Sequence, residues 1–103
     1  MEELRILEEN GDGYTKIYIT GEVDIYSSQK LKERLYKIVE TQKQDIKIDC
    51  AGMNYIDSTG LGIFVGVLKK AKEFGNDISV INLKDNIKKL FLITGLDKVF
   101  NIE

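Results

Sequence analysis

The run Asp57-Ser58-Thr59-Gly60-Leu61-Gly62 places an acid, two adjacent hydroxyls and two glycines within six residues, directly ahead of an apolar helical pattern. Ser58 stands where an N-cap is expected, and a phosphate carried there would lie in the favourable field of the first unpaired helix N–H groups. The plainer reading is an ordinary N-cap worth about 1 kcal/mol. Gly60, Gly62 and Gly66 each cost a helix roughly 0.8–1 kcal/mol relative to alanine, so close packing or function has to offset them. Cys50 ends an alternating stretch with no recognisable cationic partner to lower its pKa, and reads as a small buried hydrophobe. The chain contains no His, which removes the commonest general base near neutral pH and the commonest metal ligand. Ser-His-Asp and Cys-His catalysis and His-containing zinc sites are excluded, and no phosphate-binding loop of the Gly-x-x-x-x-Gly-Lys type is present. No enzyme activity and no cofactor are expected.

These residues need elements to hold them. Leu4–Glu8 and Lys16–Thr20 alternate in part across Asn10-Gly11-Asp12-Gly13, which predicts an antiparallel hairpin. Leu31, Leu35, Ile38 and Val39 recur at helical spacing from about Ser27 to Thr41. Asp45–Cys50 alternates as a strand and is expected to run into a loop, Ala51–Asp57. Leu61, Phe64, Val65 and Leu68 continue a second helix to Gly75, Asp77–Asn82 reads as a strand, and Asp85 is expected to cap a third helix closed by Gly95. Val99–Ile102 is a candidate last strand. A hairpin followed by alternating helix and strand predicts an α/β fold, with a mixed sheet of four to five strands and helices packed on it. In such a sheet, residues beyond the carboxyl ends of the strands share a crevice. Glu22 and Asp24 after the second strand should therefore meet Asp57, Ser58 and Thr59 after the third. Asp49 reads as a structural acceptor for loop N–H groups, because the acidic pair that a magnesium-holding receiver domain needs is replaced by Glu8-Glu9 entering a turn.

The 103 residues, 43% of them apolar, suffice for one domain over 1–103 with its own core. Fifteen Lys and Arg against 17 Asp and Glu give a formal charge of −2, with no basic excess for nucleic acid. The longest uncharged apolar stretch, Gly60–Leu68, is less than half of the roughly 20 residues that span a bilayer, and the acidic start differs from a signal peptide. A cytoplasmic protein without membrane insertion is expected. Residues 1–26 hold seven acids (Glu2, Glu3, Glu8, Glu9, Asp12, Glu22, Asp24) against two bases (Arg5, Lys16), so the surface beside Ser58 should favour a basic docking site.

Three segments in order carry a family likeness: Gly21-Glu22-Val23-Asp24, the Asp57–Gly62 run preceded by Ile48-Asp49 and Tyr55-Ile56, and Ile93-Thr94-Gly95-Leu96-Asp97-Lys98-Val99-Phe100. In these the chain resembles the anti-sigma factor antagonists, bacterial regulators of the STAS domain family. The resemblance implies a single STAS-like domain whose unphosphorylated form binds an anti-sigma factor with serine kinase activity and frees the sigma factor. That partner would phosphorylate Ser58 and release the chain, and a phosphatase would reset it. Glu22, Asp24, Asp57, Ser58, Thr59, Gly60, Leu61 and Gly62 are the expected partner-binding residues. Thr59 departs from the serine common at its position and sets a second hydroxyl beside the first. STAS domains also serve as accessory subunits of membrane transport systems and as scaffold pieces of signalling assemblies, an alternative that needs no phosphoserine.

Overall fold

Alternation at the start of the chain folds as expected. β1 (Arg5–Asn10) and β2 (Tyr14–Val23) pair antiparallel, Arg5 opposite Thr20 and Asn10 opposite Thr15. The computed structural model describes residues 3–103. It continues with α1 (Ser28–Gln42), β3 (Asp45–Ile56), α2 (Ser58–Glu73), β4 (Ile78–Ile81), α3 (Asp85–Ile93), a 3-10 turn (Leu96–Lys98) and β5 (Asn101–Ile102). The five strands form one sheet in chain order, β1-β2-β3-β4-β5, parallel from β2 onward.

Sequential order and right-handed crossovers put all three helices on one face of the sheet. The burial pattern agrees: Ile17, Ile19 and Val23 of β2, Ile46 and Ile48 of β3 and Ile78 and Val80 of β4 are buried, together with Leu31 and Leu35 of α1 and Phe64 and Val67 of α2. Phe64, Phe91 and Phe100 meet edge to face at centroid distances of 6.0–6.3 Å, tying α2 to α3 and the C-terminal segment. Each such contact contributes about 0.5–1.5 kcal/mol beyond the area it buries. The other face is open, whereas parallel sheets are usually covered on both sides. Its side chains are correspondingly polar: the Lys16 ammonium lies 4.9 Å from the Tyr18 ring and 3.8 Å from Asp49, and Lys47 lies 5.0 Å from the Tyr14 ring.

Three expectations need correction. The segment Ala51–Ile56 is strand, not loop: Gly52, Met53, Tyr55 and Ile56 pair with Thr20, Gly21, Glu22 and Val23. The last helix is entered through Lys84 at the N-cap position, with Asp85 as its first helical residue, where a carboxylate still suits the positive end of the helix. Asp49 accepts from the Ala51 N–H at 3.0 Å and the Asn82 amide at 3.2 Å, so the N–H it serves belongs to its own strand rather than a loop, and it ties β3 to the bend after β4.

Candidate functional site

Two irregularities steer the exits of β2 and β3. Their register slips between Tyr18 and Thr20 and again between Gly21 and Glu22, and such bulges sharpen local twist and re-aim side chains. Gly21 has φ 100, and a Cβ on it would run into the Glu3 carbonyl, so the crossing of these two backbones requires glycine. Beyond the slip, Glu22 lies opposite Tyr55 and Val23 opposite Ile56. Asp24 and Asp57 therefore leave the sheet from adjacent strands, whose axes lie about 4.8 Å apart.

At the β3 exit the residue that caps α2 is Asp57, not Ser58. Asp57 has extended backbone (φ −113, ψ −173), its carboxylate accepts from the Gly60 N–H at 3.1 Å, and its carbonyl accepts from the Leu61 N–H at 2.9 Å. Asp and Ser are comparable N-caps, and placing the carboxylate one position earlier makes Ser58 the first helical residue. Ser58 and Thr59 are both exposed, with the Ser58 hydroxyl relieved of capping. Gly60 is buried, and a Cβ there would lie 2.6 Å from Ile56 Cγ1 and 2.7 Å from Val23 Cγ1. Leu61 is 8% exposed and belongs to the core. Those two residues shape the site from inside, while Gly62 is exposed with open space where a Cβ would be. Close packing thus accounts for Gly60, and for Gly66, which sits under the Tyr36 hydroxyl, but not for Gly62.

At the β2 exit the chain turns through Asp24–Ser27. Asp24 Oδ1 accepts from the N–H groups of Tyr26 (2.9 Å) and Ser27 (3.0 Å). Ser27 Oγ donates to the Glu22 carbonyl at 2.8 Å and accepts from the Asp24 N–H at 3.0 Å. The Ser27 N–H, with the Tyr26 N–H adding to it, holds the Asp24 carboxyl below its ordinary value of 3.8 against a smaller opposing effect of burial. Glu3, Glu22 and Asp24 line a cleft of about 340 Å³ with Leu4, Tyr26, Ser27 and Lys30, whose ammonium donates to the Leu4 carbonyl at 2.9 Å. Three carboxylates thus share one cleft with one cation at the β2 exit. Two residues that the sequence passed over stand out here: Ile25 is 63% and Tyr26 84% exposed. The available signal was an apolar pair outside the Leu31, Leu35, Ile38 stripe of α1. Cys50, by contrast, is fully buried, and burial with the neighbouring Asp49 charge pushes its thiol up to about 12.

A mixed sheet with helices on one face, and a capped helix start bearing a free hydroxyl at the β3 exit, is the architecture of a STAS domain. The family model for the STAS domain matches residues 5–103, and the chain belongs to that family. Over 87 residues it is 40% identical to the anti-sigma-B factor antagonist of Bacillus subtilis (strain 168), covering 84% of this chain and 79% of that protein. In fold it is similar to an anti-sigma factor antagonist from Mycobacterium paratuberculosis (TM-score 0.87, 23% identity, 97% of this chain and 85% of that one). It is also similar to the Bacillus cell fate determinant SpoIIAA in its phosphorylated form (TM-score 0.74, 16% identity, 96% and 91%). Among the described residues no helix is long and apolar enough to cross a membrane.

Proposed function

We propose that this chain is an anti-sigma factor antagonist whose binding is switched off by phosphorylation of Ser58. The observation that carries the reading is the division of labour at the start of α2: Asp57 caps, and Ser58 presents an exposed hydroxyl that the helix does not use. Relatives named as anti-sigma-B factor antagonists, and a structural neighbour known in a phosphorylated form, support it. The docking surface is the rim formed by Asp24–Tyr26, Asp57–Thr59 and Gly62. Exposed Ile25 and Tyr26 supply apolar contacts, the carboxylates of Glu22 and Asp24 attract a basic patch, and Gly62 admits close approach.

A phosphate on Ser58 adds about −1.5 to −2 charges and three acceptor oxygens. The α2 terminus returns only about 0.3–1 kcal/mol of favourable field. Repulsion of a carboxylate roughly 7 Å away amounts to roughly 2–5 kcal/mol at an effective dielectric near 20, so the interface loses more than the helix gains. The partner, an anti-sigma factor with serine kinase activity, supplies the nucleotide and the catalysis, and a separate phosphatase restores the hydroxyl. The test is the affinity of the purified anti-sigma factor for four forms: unmodified, phosphorylated, Ser58→Ala and Ser58→Asp. Unmodified and Ser58→Ala should bind alike, Ser58→Asp more weakly and the phosphorylated form weakest, with mass spectrometry finding no phosphate on Ser58→Ala. Phosphate appearing at Thr59 in that variant, or equal affinity of all four forms, overturns the assignment.

A further inference from the structure

β1 is the outermost strand of the sheet, and among the described residues it pairs with β2 on one side only, leaving the backbone groups of its other edge free. Natural edges of this kind are usually blunted by charge, bulges or a covering segment, because they template pairing with another strand. Here the edge is a regular six-residue strand, Arg5-Ile6-Leu7-Glu8-Glu9-Asn10, with no register shift along its pairing to β2. Its open-face residues are Arg5, Leu7 and Glu9, and Leu7 is 67% exposed. On the helix face, Ile6 is buried and Glu8 reaches Arg34 of α1 at 3.8 Å. A notch of about 330 Å³, lined by Arg5, Ile6, Leu7, Lys30 and Arg34, runs along the edge on both faces.

We propose that β1 pairs antiparallel with β1 of a second copy about a two-fold axis at Leu7, joining two five-stranded sheets edge to edge. That register is self-complementary at the side chains of the open face. Leu7 meets Leu7 across the axis, and Arg5 of each copy lies opposite Glu9 of the other on the open face. On the helix face Glu8 of each copy lies opposite Ile6 of the other, where it enters the notch beside Lys30 and Arg34. Opposite-charge and apolar cross-strand pairs each favour pairing, and the two-fold contact makes the Arg5–Glu9 pair twice and the Leu7 pair once, on the axis. A second copy fits better than an unrelated acidic strand, because the edge carries both signs in the order its own reverse requires. Six residues a side are far fewer than the roughly 20–30 of a stable interface, so the dimer is weak and concentration-dependent. Antiparallel pairing also reverses β2 and β3 between copies, so the two Ser58 rims face opposite ways and both stay open.

Sedimentation from about 10 μM to about 1 mM should show the unmodified chain moving from monomer toward dimer. Arg5→Glu places like charges opposite one another twice and should weaken association about tenfold, and the double variant Arg5→Glu/Glu9→Arg should restore it. Register is read by disulfide trapping with oxidised glutathione, since buried Cys50 does not compete. Leu7→Cys should form a covalent dimer, because opposed Cα atoms about 4.5–5.5 Å apart suit a disulfide. Arg5→Cys should form one only when mixed with Glu9→Cys. A monomer at every concentration, failure of the charge swap to restore association, or Arg5→Cys trapping as readily as Leu7→Cys would overturn the proposal.

Discussion

Two serines stand at the starts of two helices that leave adjacent strands of the same sheet, and they are used in opposite ways. Ser27, at the start of α1, is half-buried and its hydroxyl is held between the Glu22 carbonyl and the Asp24 N–H. Ser58, at the start of α2, is exposed because Asp57 has taken over the cap. Three residues into α1 stands Lys30, exposed; three residues past the α2 cap stands Gly60, pressed against Val23 and Ile56. Residue type alone does not decide whether a hydroxyl at a helix start is structural or available. What decides is whether a neighbouring carboxylate has already satisfied the helix, and how closely the helix descends on the strand ends.

Four measurements would break or sharpen that contrast. The largest expected effect is at Gly60: Gly60→Ala forces a Cβ to within 2.6–2.7 Å of Ile56 and Val23 side chains and should destabilise the fold by about 1–3 kcal/mol in denaturant unfolding. Gly62→Ala, with open space, should instead gain up to roughly 1 kcal/mol of helix propensity while weakening partner binding. Next come the serines themselves. Ser27→Ala removes the hydroxyl that joins the Glu22 carbonyl to the Asp24 N–H and should cost about 1–2 kcal/mol, whereas Ser58→Ala should stay within about 0.5 kcal/mol of the unmodified chain. Equal costs at the two positions would erase the distinction drawn between them. Asp57→Ala removes the α2 cap and should cost about 1 kcal/mol, seen as faster amide exchange at Gly60.

The smallest effect concerns acid. Because the folded Asp24 carboxyl titrates below its ordinary value of 3.8, its contribution to stability is complete above that value and disappears as pH falls through the lower folded one. The start of α1 should therefore loosen only below about pH 4. The Tyr26 and Ser27 amide signals should report it, and Asp24→Asn should abolish that acid dependence.

The stripes Leu31–Leu35–Ile38 and Leu61–Phe64–Leu68 were readable because helical period and burial coincide there. So was the hairpin, whose turn glycines sit between two alternating runs. The second half of β3 was not: Met53 and Ile56 are both buried although three residues apart, because the register slip breaks the alternation a strand is recognised by. The choice between Asp57 and Ser58 as cap was likewise invisible, since two adjacent residues of comparable capping strength leave it to geometry. Asp24 was read for partner recognition from its place at the strand end. That its Oδ1 also holds its own turn is a local hydrogen-bond pattern that only the path of the backbone reveals.

Strand order that repeats chain order has a consequence for synthesis. Each strand after β1 pairs with the one made before it, so no part of the sheet waits for a distant segment to be translated. With chains emerging at roughly 5–20 residues per second, β1, β2, α1 and β3 can join while the remainder is still being made. The closing of α3 and Phe100 over Phe64, and the addition of two-residue β5 at the far edge, come after these steps. The nascent protein thus acquires the Asp24 turn and the β3 exit before its core is sealed, and a ribosome-bound chain arrested with Glu73 just clear of the exit tunnel should already protect the amides of β2 and β3 from exchange.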